Sequence, residues 1–313
     1  MRIFIFTVII VLLLGCGTEQ KETTTKGRLH IFIPESIAPT IIDEVDNFLS
    51  LYRESGAQIT YTIASSETAA RHFVQDTSRI VFLPRPLTLQ EEEYAKKTSS
   101  DFNELAVAYD GIVVVVHPIN KVKQMTTTEI QKVLTGTISR WEQFAFAKPT
   151  KGTIKVYCQD SSDVLEYLKR RLLKQGETYA EISEKVTPTS SDLQTLQSVE
   201  KDPMSLGFVA LNWIDSAHSN VKILNLGRTK EDTDTTFAPP EETKNDFYSP
   251  HPANIFRNYY PLKRAIYMYT RTHVDLAAGF GTYVATAEGQ KIFLKHGLLP
   301  GTQKIKLKSN QPN

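Results

Sequence analysis

Residues 108–141 read AYDGIVVVVHPINKVKQMTTTEIQKVLTGTISRW, and this stretch decides the fold of the chain. Residues 112–116 are five consecutive β-branched residues, a run typical of a strand that is covered on both faces. Thr126 and Glu129 stand three residues apart, as in a capping box at the start of a helix. Gly136 ends the helix pattern. The stretch therefore predicts a buried strand and then a capped helix, where the chain crosses between two lobes.

Strand and helix patterns alternate on both sides of this stretch, which favours an α/β fold with a mostly parallel sheet. Before the crossing, strands are predicted at 28–33, 59–63, 79–83 and 106–117, and helices at 40–53 and 65–75. After it, strands are predicted at 154–157, 206–209, 221–226 and 259–269. Helices are predicted at 164–174 and 193–199, and two final helices contain residues 279–284 and 288–293. We therefore predict two lobes around a cleft, with lobe 1 formed by residues 28–116 and 259–305 and lobe 2 by residues 117–258.

The composition limits the kinds of partner. The chain has 313 residues, of which 41% are hydrophobic, enough for one large domain or for two lobes with separate cores. Its 36 basic and 35 acidic residues give a net charge of +1, so no overall field attracts nucleic acid or a membrane surface. Any charged ligand must therefore be recognised by local groups.

The N-terminus has the pattern of a secretion signal. Arg2 precedes an apolar run at residues 3–14, whose length suits a signal peptide better than a membrane span. Leu13 and Gly15 then stand before Cys16 as in the signal of a bacterial lipoprotein, in which this cysteine becomes the lipidated N-terminus. The alternative is an ordinary signal peptide with an incidental cysteine.

The lipoprotein interpretation predicts how the two ends of the chain are used. Residues 1–16 form the signal peptide with lipidated Cys16, residues 17–27 a polar tether, and residues 306–313 a polar tail. The protein would then be anchored on the periplasmic side of a bacterial membrane, and on the outer membrane if there are two. Only Cys158 remains in the mature chain, which excludes an internal disulfide.

Motifs for catalysis or for a cofactor are missing from the sequence. It contains no phosphate-binding loop, dinucleotide fingerprint, zinc-spaced cysteine pair or His-Glu-x-x-His motif. It also lacks the Gly-x-Ser-x-Gly elbow of serine hydrolases. We therefore expect no catalytic residue, no metal ligand and no cofactor, and a protein that is not an enzyme.

Serines are concentrated where predicted strands give way to predicted helices. These are Ser36, Ser65, Ser66, Ser161 and Ser162. In an open parallel sheet such positions lie at the carboxyl edge, where ligands bind, and the N–H groups of a helix N-terminus favour an anion. The alternative for each serine is simple helix capping. Because the serines come from both predicted lobes, they predict an anion site between them.

Several segments, taken together and in order, resemble the bacterial periplasmic phosphate-binding proteins, the substrate-binding components of the high-affinity phosphate ABC importer. The resemblance extends over most of the chain after the signal. The segments that carry it are Arg85-Pro86-Leu87, the Asp-Gly strand at 108–120, the helix and Gly-x-Ile-x-x-Trp turn at 127–141, Leu206-Gly207-Phe208-Val209, Tyr260-Pro261-Leu262, Ala287-Glu288-Gly289-Gln290-Lys291 and Gly297-Leu298-Leu299-Pro300.

The resemblance implies a type II periplasmic binding protein, in which two α/β lobes with mixed, mostly parallel sheets are joined by a two-strand hinge. Such lobes close over phosphate or a related oxyanion. The resemblance also implies delivery of the ligand to ABC permease components, no chemistry on the ligand, and a monomer that meets the membrane only through its lipid anchor.

The chain departs from the family at the ligand loops. Glu35 places a negative charge beside Ser36, which disfavours an anion. Gln159 stands near the position of a family Arg, Asp163 replaces a hydroxyl donor, and Arg79 stands where the family has an Asp. We hypothesise that Arg79 replaces the missing Arg as the charge partner of the anion. Alternatively, Arg79 pairs with Asp163 across a degenerate site, and the protein binds another small solute or acts as a sensor or docking module.

Overall fold

The computed structural model describes residues 22–98, 101–144, 151–217, 219–230, 232, 236–239 and 246–303. The predicted signal peptide, the lipidated Cys16, the tether up to residue 21 and the C-terminal tail lie outside these ranges. Of the helices that the model describes, none is both long and apolar enough to cross a membrane.

Strands and helices alternate along the described chain. The strands are β1 Gly27–Pro34, β2 Ala57–Ala64, β3 Ile80–Leu83, β4 Phe102–Val116, β5 Gln124–Thr126, β6 Lys155–Gln159, β7 Lys174–Gln175, β8 Thr178–Tyr179, β9 Val186–Thr189, β10 Ser205–Ala210, β11 Lys222–Ile223, β12 Asn225–Gly227, β13 Lys263–Arg271 and β14 Leu299–Pro300. The helices are α1 Ala38–Tyr52, α2 Ser66–Val74, α3 Leu89–Thr98, α4 Thr127–Leu134, α5 Asp163–Leu172, α6 Asp192–Lys201, α7 Asn212–Ser216, α8 Pro252–Phe256, α9 Leu276–Ala285 and α10 Ala287–Lys295.

Lobe 1 is built on β13, which lies between β3 and β4 and runs antiparallel to both. β1 and β2 pair in parallel beside them. The apolar residues Leu29, Ile31 and Ile33 alternate along β1 and are buried in one core with Phe48 of α1 and Phe280 of α9. This period of two is what a strand with one covered face requires.

Lobe 2 contains a parallel set of three strands. β6 pairs in parallel with both β9 and β10, and β10 pairs antiparallel with the second half of β4. Trp141, Val156, Leu168 and Phe208 share its main core. Gly207 of β10 lets α6 approach closely, because an added Cβ would lie 2.8 Å from a methyl group of Val199.

One strand, β4, belongs to both lobes. Its residues 102–111 pair with β13 of lobe 1, whereas residues 112–116 pair with β10 of lobe 2. Next to this crossing, the chain returns to lobe 1 through Leu262, whose carbonyl accepts a 2.9 Å bond from the N–H of Ile112. The pairing partner of β4 therefore changes between Gly111 and Ile112.

The predicted two-lobed α/β class is confirmed. The parallel pairings are those of β1 with β2, of β6 with β9 and β10, and of β5 with β12, while β4 and β13 are antiparallel to their neighbours in the large sheet. Three helices were not predicted from the sequence, namely α3, α7 and α8.

Candidate functional site

The carboxyl ends of strands from both lobes meet at one cleft. Ser36 follows β1, Ser65 and Ser66 follow β2, and Ser161 and Ser162 follow β6. Between them, two adjoining cavities of about 630 and 250 Å³ are lined by all five serines. Strand ends of this kind are where open α/β sheets bind ligands. The fold thus brings together every serine that the sequence predicts for the anion site.

The serine hydroxyls at this cleft differ in what they already bind. Ser65 caps α2 by accepting a 3.2 Å bond from the N–H of Thr68, and Ser162 caps α5 by accepting a 3.1 Å bond from the N–H of Leu165. Ser66 is 3% exposed, and no described residue pairs with its hydroxyl. The hydroxyl of Ser66, at the start of α2, is therefore the serine group of this cleft that lacks a partner among the described residues.

Direct contacts cross the cleft. The carboxylate of Glu35 accepts a 3.1 Å bond from the N–H of Asp192 at the start of α6, and the carbonyl of Glu35 accepts one of 3.1 Å from the Nε1 of Trp213. The hydroxyl of Ser36 donates a 3.2 Å bond to Asp163 at the start of α5. A carboxylate of the protein therefore occupies the N-terminus of α6, a position that suits an anion.

Glu35 and Asp192 form an acidic pair across the cleft. Burial raises the pKa of Glu35 to about 7, the N–H of Asp192 acts against this shift, and the charge of Asp163 adds to it. Burial, and then the charge of Glu35, raise the pKa of Asp192 well above its ordinary value, and Arg264 opposes both shifts.

Two arginines at the cleft are held by acids of their own lobe. Arg264 is buried, and its Nε and Nη2 donate bonds of 3.1 and 2.8 Å to Asp110 beside the β4 crossing. Arg85, in the turn after β3, makes a bidentate pair with Glu91 at 2.7 and 2.8 Å. Since each guanidinium is matched by a carboxylate, neither gives the cleft a net positive charge.

Arg79 does not lie in this cleft. It precedes β3 and stands at the amino end of that strand, whereas Arg85 reaches the cleft from the carboxyl end. Its guanidinium pairs with Glu22 and with Asp275, the latter at 3.1 Å, and donates a 2.7 Å bond to the carbonyl of Arg28. The hypothesis that Arg79 is the charge partner of an anion is therefore corrected, and so is its alternative pairing across the cleft.

Sequence reasoning did not assign four groups that shape the site: Arg85, Asp192, Trp213 and Arg264. A signal existed for two of them. Arg85 belongs to a turn directly after a predicted strand, and Asp192 to a Ser-Ser-Asp cap before a predicted helix. Both therefore follow the rule that located the serines.

Comparison with known proteins gives a family. A model for PBP superfamily domains matches residues 19–288. The phosphate-binding protein PstS of Staphylococcus saprophyticus is 22% identical over 265 residues, which is 83% of this chain and 76% of that protein. PstS of Borreliella burgdorferi is 21% identical over 307 residues, which is 95% of this chain and 97% of that protein.

Solved structures share the fold. A Clostridium perfringens protein, crystallised with bound phosphate and described as a candidate phosphate ABC transporter substrate-binding protein, has a TM-score of 0.70 at 18% identity. The match covers 88% of this chain and 99% of that one. A Vibrio cholerae ABC-type phosphate transport receptor has a TM-score of 0.62 at 16% identity, over 87% and 99% of the two chains.

Proposed function

The chain belongs to the PBP superfamily, and from this premise we propose that it is a substrate-binding protein of the phosphate ABC importer type. Phosphate or a related oxyanion would bind between the lobes without chemical change. One observation carries the proposal: serines at helix starts in both lobes line the same cavity, and one of them, Ser66, has a buried hydroxyl with no partner among the described residues. Relatives named for phosphate binding support the ligand.

Titration calorimetry with phosphate and with sulfate tests this proposal. We expect saturable binding of phosphate with one site per chain. Ser66→Ala should weaken it roughly tenfold or more, because a hydrogen bond to a charged group contributes about 1.5–3 kcal/mol and each 1.4 kcal/mol is a factor of ten. Ser50→Ala, an exposed position on α1, is the matched control and should bind like the unchanged protein. Failure of both anions to bind would reject the proposed function.

The anchor and the transport partners are part of the same proposal. Lipidation at Cys16 would hold the protein, as a monomer, on the periplasmic side of a bacterial membrane, where it could reach the ABC permease components that receive the ligand. Labelling of cells with a fatty acid tests the anchor, since Cys16→Ser should remove both the label and the membrane association. Label that persists on the Ser variant would contradict it.

A second function has one observation in its favour. Glu35 fills the N-terminus of α6, and Ser36 contacts Asp163 across the cleft, so groups of the protein itself occupy part of the predicted anion site. A protein of this kind would act as a sensor or docking module. The calorimetry separates the two functions, because a docking module would bind neither anion.

A further inference from the structure

The cleft is larger than a bare oxyanion needs. Its main cavity measures about 630 Å³ although the lobes already touch through Ser36 and Asp163. A water molecule in the liquid takes roughly 30 Å³, and cavities of about 300–1,000 Å³ are typical of sites for organic ligands. There is therefore room for a phosphate compound that carries an organic group.

Part of the main cavity offers donors for an anionic group, beside the carboxylates of Glu67, Glu91, Asp163 and Glu166, which also line it. Ser66 begins α2, a helix of nine residues, and its buried hydroxyl has no partner among the residues described. Arg170, exposed on α5, lines the same cavity and forms no ion pair with any described residue. A helix N-terminus, a buried hydroxyl and a free guanidinium together are the groups that bind a phosphoryl oxygen.

The other side of the cleft suits a cation. Glu35 lines the adjoining cavity, and Asp163 lines both cavities at their junction. Within the described ranges neither forms an ion pair with a basic side chain. The second carboxylate oxygen of Glu35 is buried and has no described partner. The buried guanidinium of Arg264 donates to Asp110 through Nε and Nη2, and its Nη1 has no partner among the described residues. Carboxylates in this state repel a free anion but attract an ammonium group.

We propose that the cleft binds a zwitterionic phosphate compound, a phosphate monoester or phosphonate that carries an ammonium group. The inference rests on the proposed function and names its ligand class. The phosphoryl group lies against Ser66 and Arg170, and the ammonium group lies against Glu35 and Asp163. Glu35 and Asp163, the acids that depart from the family pattern, would then determine the specificity of the site for a ligand with an ammonium group.

Fluorescence of Trp213, whose indole contacts the Glu35 backbone, reports binding at this cleft. The probes are O-phosphoethanolamine, glycerol phosphate and inorganic phosphate at equal pH and salt. We expect O-phosphoethanolamine to bind at least tenfold more tightly than the other two. Equal or tighter binding of inorganic phosphate would overturn the inference and leave the proposed function intact. Failure of all three probes to bind would reject the proposed function itself.

Variants that neutralise one acid of the cleft test the proposed ammonium site directly. Asp163→Asn removes one acid, so it should weaken binding of O-phosphoethanolamine about tenfold and strengthen binding of inorganic phosphate. Glu35→Gln should act in the same direction, which guards against a folding defect in one variant. Asp46→Asn, an exposed position on α1, is the matched control and should change neither affinity. Parallel loss of both ligands in both cleft variants would contradict the inference.

Discussion

Glu44 is an acid without a partner in the core of lobe 1. It is fully buried on α1, and neither oxygen of its carboxyl group is paired with a described residue. Burial, with the charge of Asp43 adding to it, raises its pKa to about 9. Since the carboxyl releases its proton near pH 4.5 in the unfolded chain, this residue lowers the free energy of unfolding progressively as pH rises from about 4.5 to about 9.

Replacement of Glu44 by Gln should remove this penalty. We expect Glu44→Gln to raise the free energy of unfolding by roughly 2–4 kcal/mol at pH 8 and by less than about 1 kcal/mol at pH 5, because only the acid titrates between these values. Urea unfolding at both pH values measures the difference. Glu54→Gln, an exposed position after α1, should show no such pH dependence. An equal gain at both pH values would mean that Glu44 does not titrate in this window.

At the scale of single elements, the sequence predicts a helix well when its local signals are complete. The capping box of α4 is present: Thr126 accepts a 3.1 Å bond from the N–H of Glu129, whose carboxylate accepts a 2.8 Å bond from the N–H of Thr126. In α3, by contrast, Ala95 is the only buried residue, so no apolar period marks that helix. A helix such as α3, which lacks an apolar period, cannot be recognised from the pattern of its residues.

Removal of the Thr126 hydroxyl tests how much the capping box contributes. Thr126→Ala should lower the free energy of unfolding by about 1 kcal/mol, since it leaves an N–H group of the first turn without its acceptor. Thr126→Ser keeps the hydroxyl and should restore most of the stability. Urea unfolding of the three proteins gives the comparison. Equal destabilisation by Ala and Ser would show that packing of the threonine methyl group, and not the cap, is responsible.

At the scale of the whole molecule, the position of the site was predictable and its charges were not. The serines could be located because topology alone sends the carboxyl ends of parallel strands to one edge. The charge partners depend on contacts between distant parts of the chain. Arg79 meets Asp275 across 196 positions, and Arg264 meets Asp110 across 154. A gapless match of motifs contains no information on such pairs, and this is why Arg79 was proposed as the charge partner of the anion.

The crossing strand β4 forms hydrogen-bonded pairs with strands of both lobes. β4 pairs with β13 in lobe 1 and with β10 in lobe 2, and the buried pair of Arg264 and Asp110 lies at the junction. Neither lobe can lose this strand without exposing apolar residues of the other. Since removing one partner of a buried ion pair costs about 3–5 kcal/mol, loss of Arg264 should destabilise both lobes. We therefore infer that the lobes unfold together.

A single unfolding transition is thus expected. The chain has two tryptophans, and in Trp213→Phe the remaining fluorescence comes from Trp141, which is fully buried in lobe 2. Its urea curve should coincide with that of far-ultraviolet circular dichroism, which reports both lobes. Adding Arg264→Met should move both curves to lower urea by the same amount, whereas Arg257→Met, at an exposed position, should move neither. Separate midpoints for the two signals would show that the lobes unfold independently and that β4 does not couple them.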